Sequence, residues 1–216
     1  SAVANNGGIG VIACAGIGMF EPDIKTNYKE ANSRGLSKEI QKTRKLTSGL
    51  IGVNIMLELS DADQLIDTAV KEGIDVIFLG AGLAMKFSDL MPAERLRSTK
   101  TKFAPKVSSA RAANIIFQYW AKNYKHVPDM VVVEGPLSGG HQGFKKEQID
   151  DPEYALEKLV PAVIAAIKPF EQQFGKSIPV IAAGGIFTGG DIHKFLRMGA
   201  SGVKMGTRFV ATHECD

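Results

Sequence analysis

One of the chain's four histidines sits in its most chemically dense segment. The β-branched run Val131-Val132-Val133-Glu134 stops abruptly and becomes Gly135-Pro136-Leu137-Ser138-Gly139-Gly140-His141-Gln142-Gly143, a loop with four glycines. The run reads as a fully buried strand, and glycines let backbone approach a ligand closely. A titratable imidazole at the C-terminal end of such a strand is where α/β enzymes place their chemistry, so His141 is the candidate catalytic residue. The alternative is a histidine fixed by loop hydrogen bonds. Asn54, inside the apolar stretch Gly52-Val53-Asn54-Ile55-Met56, and Glu134 raise a related question. A buried polar group needs partners, either across a neighbouring strand or on a ligand's polar ring edge.

A second constellation lies near the C-terminus. Ile181-Ala182-Ala183-Gly184-Gly185-Ile186 follows one strand and Lys204-Met205-Gly206-Thr207-Arg208 ends the next. In eight-stranded β/α barrels a phosphate often binds between the last two such loops, on backbone N–H groups. Glycines remove the Cβ that would block it, Thr207 offers a hydroxyl and Arg208 adds charge. The competing reading is that Gly184 and Gly185 merely turn the chain.

Other motifs fail on context. Gly8-Ile9-Gly10-Val11-Ile12-Ala13 matches a dinucleotide fingerprint in spelling, but its second half is itself a strand. Ser138 is not in a G-x-S-x-G elbow. No histidine pair has metal-ligand spacing, and Cys14 and Cys215 make neither a disulfide framework nor a metal site. Cys14 reads as a small core residue, and a reduced, cytoplasmic setting fits the cysteine usage. A net charge of +3, scattered along the chain, does not point to nucleic acid or an anionic membrane. No apolar run approaches the roughly 20 residues that cross a bilayer.

These residues must be positioned by regular elements. Short apolar strands are expected at 9–13, 52–56, 76–80, 103–107, 130–134, 179–183 and 202–205, without period-two alternation, so both faces should be covered. Helices are expected between them. One runs from Ser60 to Glu72, with Ser60 and Asp63 spaced as a capping box, and another from Ser109 to about Tyr124. A third starts at Asp151-Pro152-Glu153, with Pro161 bending or restarting it. A fourth covers Asp191–Met198, and Leu36–Leu46 is a weaker, highly charged one. Strands alternating with helices imply a parallel sheet, closed as an eight-stranded barrel or left open and doubly wound. The opening residues read as the end of a helix capped at Asn6-Gly7, so a strand before Ser1 would complete the barrel. The last residues, Phe209 to Asp216, read as stopping past a strand with no closing helix. The chain is expected to be a single domain over 1–216 and a fragment of a longer protein. The polar stretch Glu21–Arg34 would lie over the mouth of a barrel.

Read together, Asn6 through Ile12, Gly52 through Met56, Glu134 through Gly143, Pro179 through Ile186 and Lys204 through Phe209 resemble the nitronate monooxygenase (2-nitropropane dioxygenase) family. The FMN-dependent enoyl-acyl-carrier-protein reductases are close relatives of that family. The resemblance implies an α/β, (β/α)8 TIM barrel that lacks its first strand and C-terminal elements in this chain. It implies FMN as cofactor, with Asn54, Glu134, Gly139 and Gly140 approaching the flavin. Gly184, Gly185, Lys204, Met205, Gly206 and Thr207 would hold its phosphate region, and His141 would be catalytic. The expected reaction is oxidation of alkyl nitronates by O2. Enoyl-thioester reduction with NAD(P)H and a non-redox phosphate-binding barrel are the alternatives. The implied partners are a small-molecule substrate, O2 or NAD(P)H, and a second copy of the chain as a homodimer. The sequence departs from the family where many members read Glu-Ala-Gly-Gly-His and this chain has Leu137-Ser138-Gly139-Gly140-His141. Relatives often carry Gln at Glu134, and the family's glycine- and methionine-bearing first turn is not in this chain.

Overall fold

The structure, a computed structural model, describes residues 1–213; Cys215 lies outside them. The chain divides into two compact units, Ser1–Ala104 and Pro105–Asp216.

The first unit runs α1 (Ala2–Asn5), β1 (Gly10–Ala13), α2 (Tyr28–Leu46), β2 (Ile51–Met56), α3 (Ala62–Lys71), β3 (Val76–Gly80) and α4 (Ala93–Ser98), then the start of β4 (Lys102–Val107). β1, β2 and β3 pair in parallel in that order, with Gly10 opposite Ile51 and Gly52 opposite Val76. All five residues of β3 are buried, as a strand covered on both faces requires. Gly52 is needed in β2 because a Cβ there would lie 2.9 Å from the Phe78 ring. The polar stretch Glu21–Arg34 is partly helical, since α2 starts at Tyr28. Its apolar and small residues explain the longer helix. Ala31, Leu36 and Ile40 are buried, and Gly18 and Gly35 let the loop after β1 touch the α2 backbone.

The expected capping box at Ser60 does not form. The N-cap of α3 is Asp61, without a side-chain cap. Ser60 Oγ bonds the Tyr28 hydroxyl, and Asp61 Oδ2 accepts from Asn32 Nδ2 at 2.6 Å. Tertiary partners outcompete the local cap.

The second unit holds the end of β4, α5 (Ala110–Tyr124), β5 (Val131–Glu134), α6 (Leu156–Phe174), β6 (Val180–Ala183), α7 (Gly189–Arg197), β7 (Gly202–Lys204) and α8 (Thr207–Val210). Its strands pair in parallel in the order β4-β5-β6-β7. Ser109 caps α5 by accepting from the Ala112 N–H, and Trp120, Phe117 and Ile116 are fully buried on one helical face. Two helical expectations need correction. The chain restarts at Ala155, after a 3-10 turn at Pro152–Tyr154, and α6 continues through Pro161 and Pro169. Pro161 falls just past the first turn, where it removes one backbone bond. Val160, Val163, Ile167 and Phe170 bury the helix face and offset that loss. α7 starts at Gly189, where Thr188 and Asp191 make a reciprocal capping box. A short helix, α8, follows β7 where none was expected.

All seven strands thus lie within a residue of their expected limits and are parallel to their sequence neighbours in each unit. Cys14 is a core residue, 1% exposed, and burial pushes its thiol up to about 12.

Candidate functional site

Ten of the eleven residues singled out from sequence belong to the second unit. Asn54 belongs to the first, where it is half-buried on β2 opposite Ala13 and Phe78. Its carbonyl accepts from the Cys14 N–H at 3.1 Å.

In the second unit the loops after β5 and β6 are packed on each other. The Gly135 N–H donates to the Ala183 carbonyl at 2.9 Å, extending the strand pairing by one residue. The Ser138 N–H then closes a turn onto the Gly135 carbonyl at 3.0 Å. Gly184 and Gly185 have φ of +107° and +70°. A Cβ on Gly184 would lie 2.5 Å from Ser138 Oγ, and one on Gly185 would lie 2.8 Å from Leu137 Cδ1. These two glycines therefore serve the turn and the contact between the loops.

Gly139, Gly140 and Gly206 differ. A Cβ on any of them would meet nothing within 4 Å, so their backbones border open space that a ligand can enter. His141 follows directly, with an exposed ring that makes no hydrogen bond or ion pair among the described residues. Gln142 Nε2 donates back to the Ser138 carbonyl and folds the loop onto itself. Gly143 lets the loop meet Ser108 at the end of β4, since a Cβ there would lie 2.3 Å from Ser108 Oγ.

Beside α7 and α8 lies an open cavity of about 410 Å³, bordered by Thr188, Gly189, Met205, Arg208 and Phe209. The Arg208 guanidinium stacks 5.0 Å from the Phe187 ring centroid at its edge. Thr207 and Gly206 are exposed next to it. An anionic group fits this corner by charge and by the free backbone at Gly206. Gly139 and Gly140 present backbone that a flat ring could approach without meeting a side chain.

Lys106 escaped the sequence reading. The signal was a lysine inside the apolar strand Phe103-Ala104-Pro105-Lys106-Val107. Its ammonium lies 3.1 Å from Glu134 Oε1, with both side chains largely buried. Lys204 joins this pair rather than standing alone at the loop. Glu134 opposes Ala183, and Ala183 opposes Lys204, so the three share one face of the sheet. Ala183, between Glu134 and Lys204 in the register, carries only a methyl. Burial, then the neighbouring Lys106 charge, push the Lys204 amine down to about 7, against a smaller opposing pull from Glu134.

Among the described residues no cluster of His, Cys, Asp or Glu could hold a metal ion, and no helix is long and apolar enough to cross a membrane.

The chain is similar to known proteins along its whole length. The chain is 31% identical over 214 residues to a (3aS,4S,5R,7aS)-5-hydroxy-7a-methyl-1-oxo-octahydro-1H-indene-4-carboxyl-CoA dehydrogenase of Mycobacterium tuberculosis, covering 99% of this chain and 49% of that one. It therefore spans about half the length of the curated relatives it matches. FabK of Thermotoga maritima superposes with a TM-score of 0.72 at 32% identity, covering 100% of this chain and 55% of that one. A nitroalkane oxidase of Streptomyces ansochromogenes gives 0.71 at 25% identity, covering 99% and 61%. The model of the family described as nitronate monooxygenase matches residues 1–216. From end to end, the chain belongs to the nitronate monooxygenase family.

Proposed function

We propose that this protein is an FMN-dependent oxidoreductase that oxidises alkyl nitronates with O2, and that its strands belong to a single (β/α)8 barrel domain. The observation that carries the reading is the loop after β5. It offers open backbone at Gly139 and Gly140, then an exposed imidazole, one strand end away from the buried Lys106–Glu134 pair.

When bound, FMN supplies the two-electron redox chemistry. The residues of this chain do the rest. Gly139 and Gly140 admit the flat ring, and Glu134 offers a polar group to its edge. Gly206, Thr207 and Arg208 meet the phosphate end with N–H, hydroxyl and guanidinium donors. His141 Nε2 or Nδ1 donates a hydrogen bond to a nitronate oxygen. In its neutral form it accepts the α-proton of a nitroalkane. Lys106 and Lys204, two amines set against the one Glu134 carboxylate, favour an anionic substrate.

His141→Ala tests the assignment. It should keep bound flavin and lose nitronate turnover by roughly a hundredfold or more. Undiminished turnover in that variant would remove His141 from the mechanism.

A second reading is favoured by one finding: the M. tuberculosis relative is named for a carboxyl-CoA substrate. In that reading the same flavin site takes electrons from NAD(P)H and reduces an enoyl thioester. Flavin reduction by NADPH, followed by reoxidation with crotonyl-CoA, would favour it over the nitronate reading.

A further inference from the structure

The loops after β5 and β6 also border a second cavity, of about 200 Å³, together with the segment before α6 and with α7. Its lining is largely apolar, with Pro136, Leu137, Ile149, Leu156 and Phe195 around it. Leu156 and Phe195 are buried, whereas Leu137 is 71% exposed, a large apolar side chain left open on a packed loop. The charged side chains are one-sided. Asp150, Asp151, Glu157 and Asp191 border the same space against a single ammonium, Lys194, which already pairs with Glu157. Local bonds hold these carboxylates in place. Asp191 Oδ2 accepts from the Thr188 N–H and hydroxyl, both at 2.8 Å, and Asp151 Oδ1 accepts from the Glu153 N–H at 2.9 Å. The Thr188 N–H holds the Asp191 carboxyl below the usual carboxylate range, and the Lys194 ammonium does the same for Glu157. Asp150 makes no hydrogen bond or ion pair among the described residues.

We propose that this cavity binds a small amphipathic organic cation, a primary ammonium on an apolar body the size of a benzene ring. Size, lining and charge each narrow the ligand. An apolar cavity of about 150 Å³ accepts benzene, so 200 Å³ admits a ring with a short arm. The apolar lining takes the ring out of water, which drives binding. The excess of carboxylates favours a cation over a neutral analogue and turns anions away. A bare metal ion does not fit, since no cluster of His, Cys, Asp or Glu among the described residues could hold one. Ion pairing alone is too weak beside water to retain a ligand, so the ring is required. An occupied cavity also holds Leu137 against Gly185, and Leu137 lies four residues before His141. The ligand thus steadies the loop that carries the imidazole. Cation binding here goes beyond the flavin reading and does not depend on it.

The test titrates the full-length, flavin-loaded protein calorimetrically at neutral pH with benzylammonium, benzyl alcohol, benzoate and ethylammonium. Benzylammonium should bind roughly tenfold or more tightly than benzyl alcohol, which lacks the charge, and than ethylammonium, which lacks the ring. Benzoate should bind weakest of the ring compounds. Equal affinity for benzyl alcohol or benzoate would overturn the preference for a cation. Equal affinity for ethylammonium would overturn the apolar body. A benzylammonium dissociation constant above about 10 mM would overturn the site itself.

Two substitutions locate the binding. Asp150→Lys reverses an exposed carboxylate that has no bond to lose, and Leu137→Ser removes an exposed apolar wall, so both variants should fold. Each should weaken benzylammonium roughly tenfold. Wild-type affinity in both would put the ligand elsewhere and overturn the assignment. Benzylammonium should also slow amide exchange across residues 137–143 in the wild type and not in Asp150→Lys. Unchanged exchange with binding intact would overturn the steadying of the His141 loop. A colourless protein that still binds benzylammonium would reject the flavin reading and leave this site in place.

Discussion

Two buried polar clusters invite comparison, one in each unit. In the first, Asn32 Oδ1 accepts from the Gly18 N–H at 2.9 Å and its Nδ2 donates to Asp61 Oδ2 at 2.6 Å. Asn32 and Asp61 are 7% and 2% exposed. This cluster ties the loop after β1 to α2 and α3, and it joins donors to acceptors within the protein. In the second unit, Lys106, Glu134 and Lys204 set two amines against one carboxylate. A satisfied network fixes a conformation; a network with a surplus charge is a place where a ligand or a proton changes the balance. The first cluster is architecture; the second is where we propose the chemistry.

The largest effect should come from breaking the first cluster. Asn32→Ala leaves the Gly18 N–H and the Asp61 carboxylate without this partner in a buried setting. It should cost about 3 kcal/mol in denaturant unfolding. A loss under about 1 kcal/mol would mean that the network is not what holds the loop.

Next come the two kinds of glycine. Gly184→Ala places a Cβ against Ser138 at a positive φ and should cost about 2 kcal/mol of stability. Gly139→Ala meets no protein atom, so its stability should change by less than about 0.5 kcal/mol while FMN affinity falls. Equal destabilisation of the two variants would erase the distinction between packing glycines and ligand-facing ones.

The second cluster predicts a signed pH effect. The Lys204 amine is lowered from the ordinary 10.5 to about 7. Between those values the unfolded chain binds the extra proton, so native stability rises with pH through that window. Below about pH 7 the buried ammonium is a standing cost, and Lys204→Met should stabilise the protein most there. Above 10.5 both forms are neutral and that charge-related gain should vanish. The smallest effect belongs to the exposed Lys194–Glu157 pair, where Lys194→Ala should cost at most about 1 kcal/mol.

Much of this was legible in the sequence. The seven strands could be read because parallel strands buried on both faces are near-continuous apolar runs ending in glycine or a polar residue. The loop holding Gly139, Gly140 and His141 stood out by composition alone. Helix starts were less legible. Ser60 looked like a cap, yet it turned to Tyr28 and left the N-cap position to Asp61, a long-range competition that local spacing does not encode. Lys106 went unread because a single lysine in a strand usually reaches solvent. Only the register of β5, β6 and β7, with the small Ala183 in the middle, brings Glu134 and Lys204 to one face of the sheet. Gly184 and Gly185 carried a phosphate signature in sequence; their contact with the neighbouring loop, Gly184 on Ser138 and Gly185 on Leu137, comes only from the fold.

The central claim is that the second unit's strand ends serve an anionic substrate of a flavin enzyme. Anaerobic mixing of the purified, full-length yellow protein with propyl nitronate, against NADPH as control, tests it most directly. The account predicts that nitronate bleaches the flavin absorbance and that NADPH does not. Bleaching by NADPH alone, or a colourless protein that rejects added FMN, would contradict it.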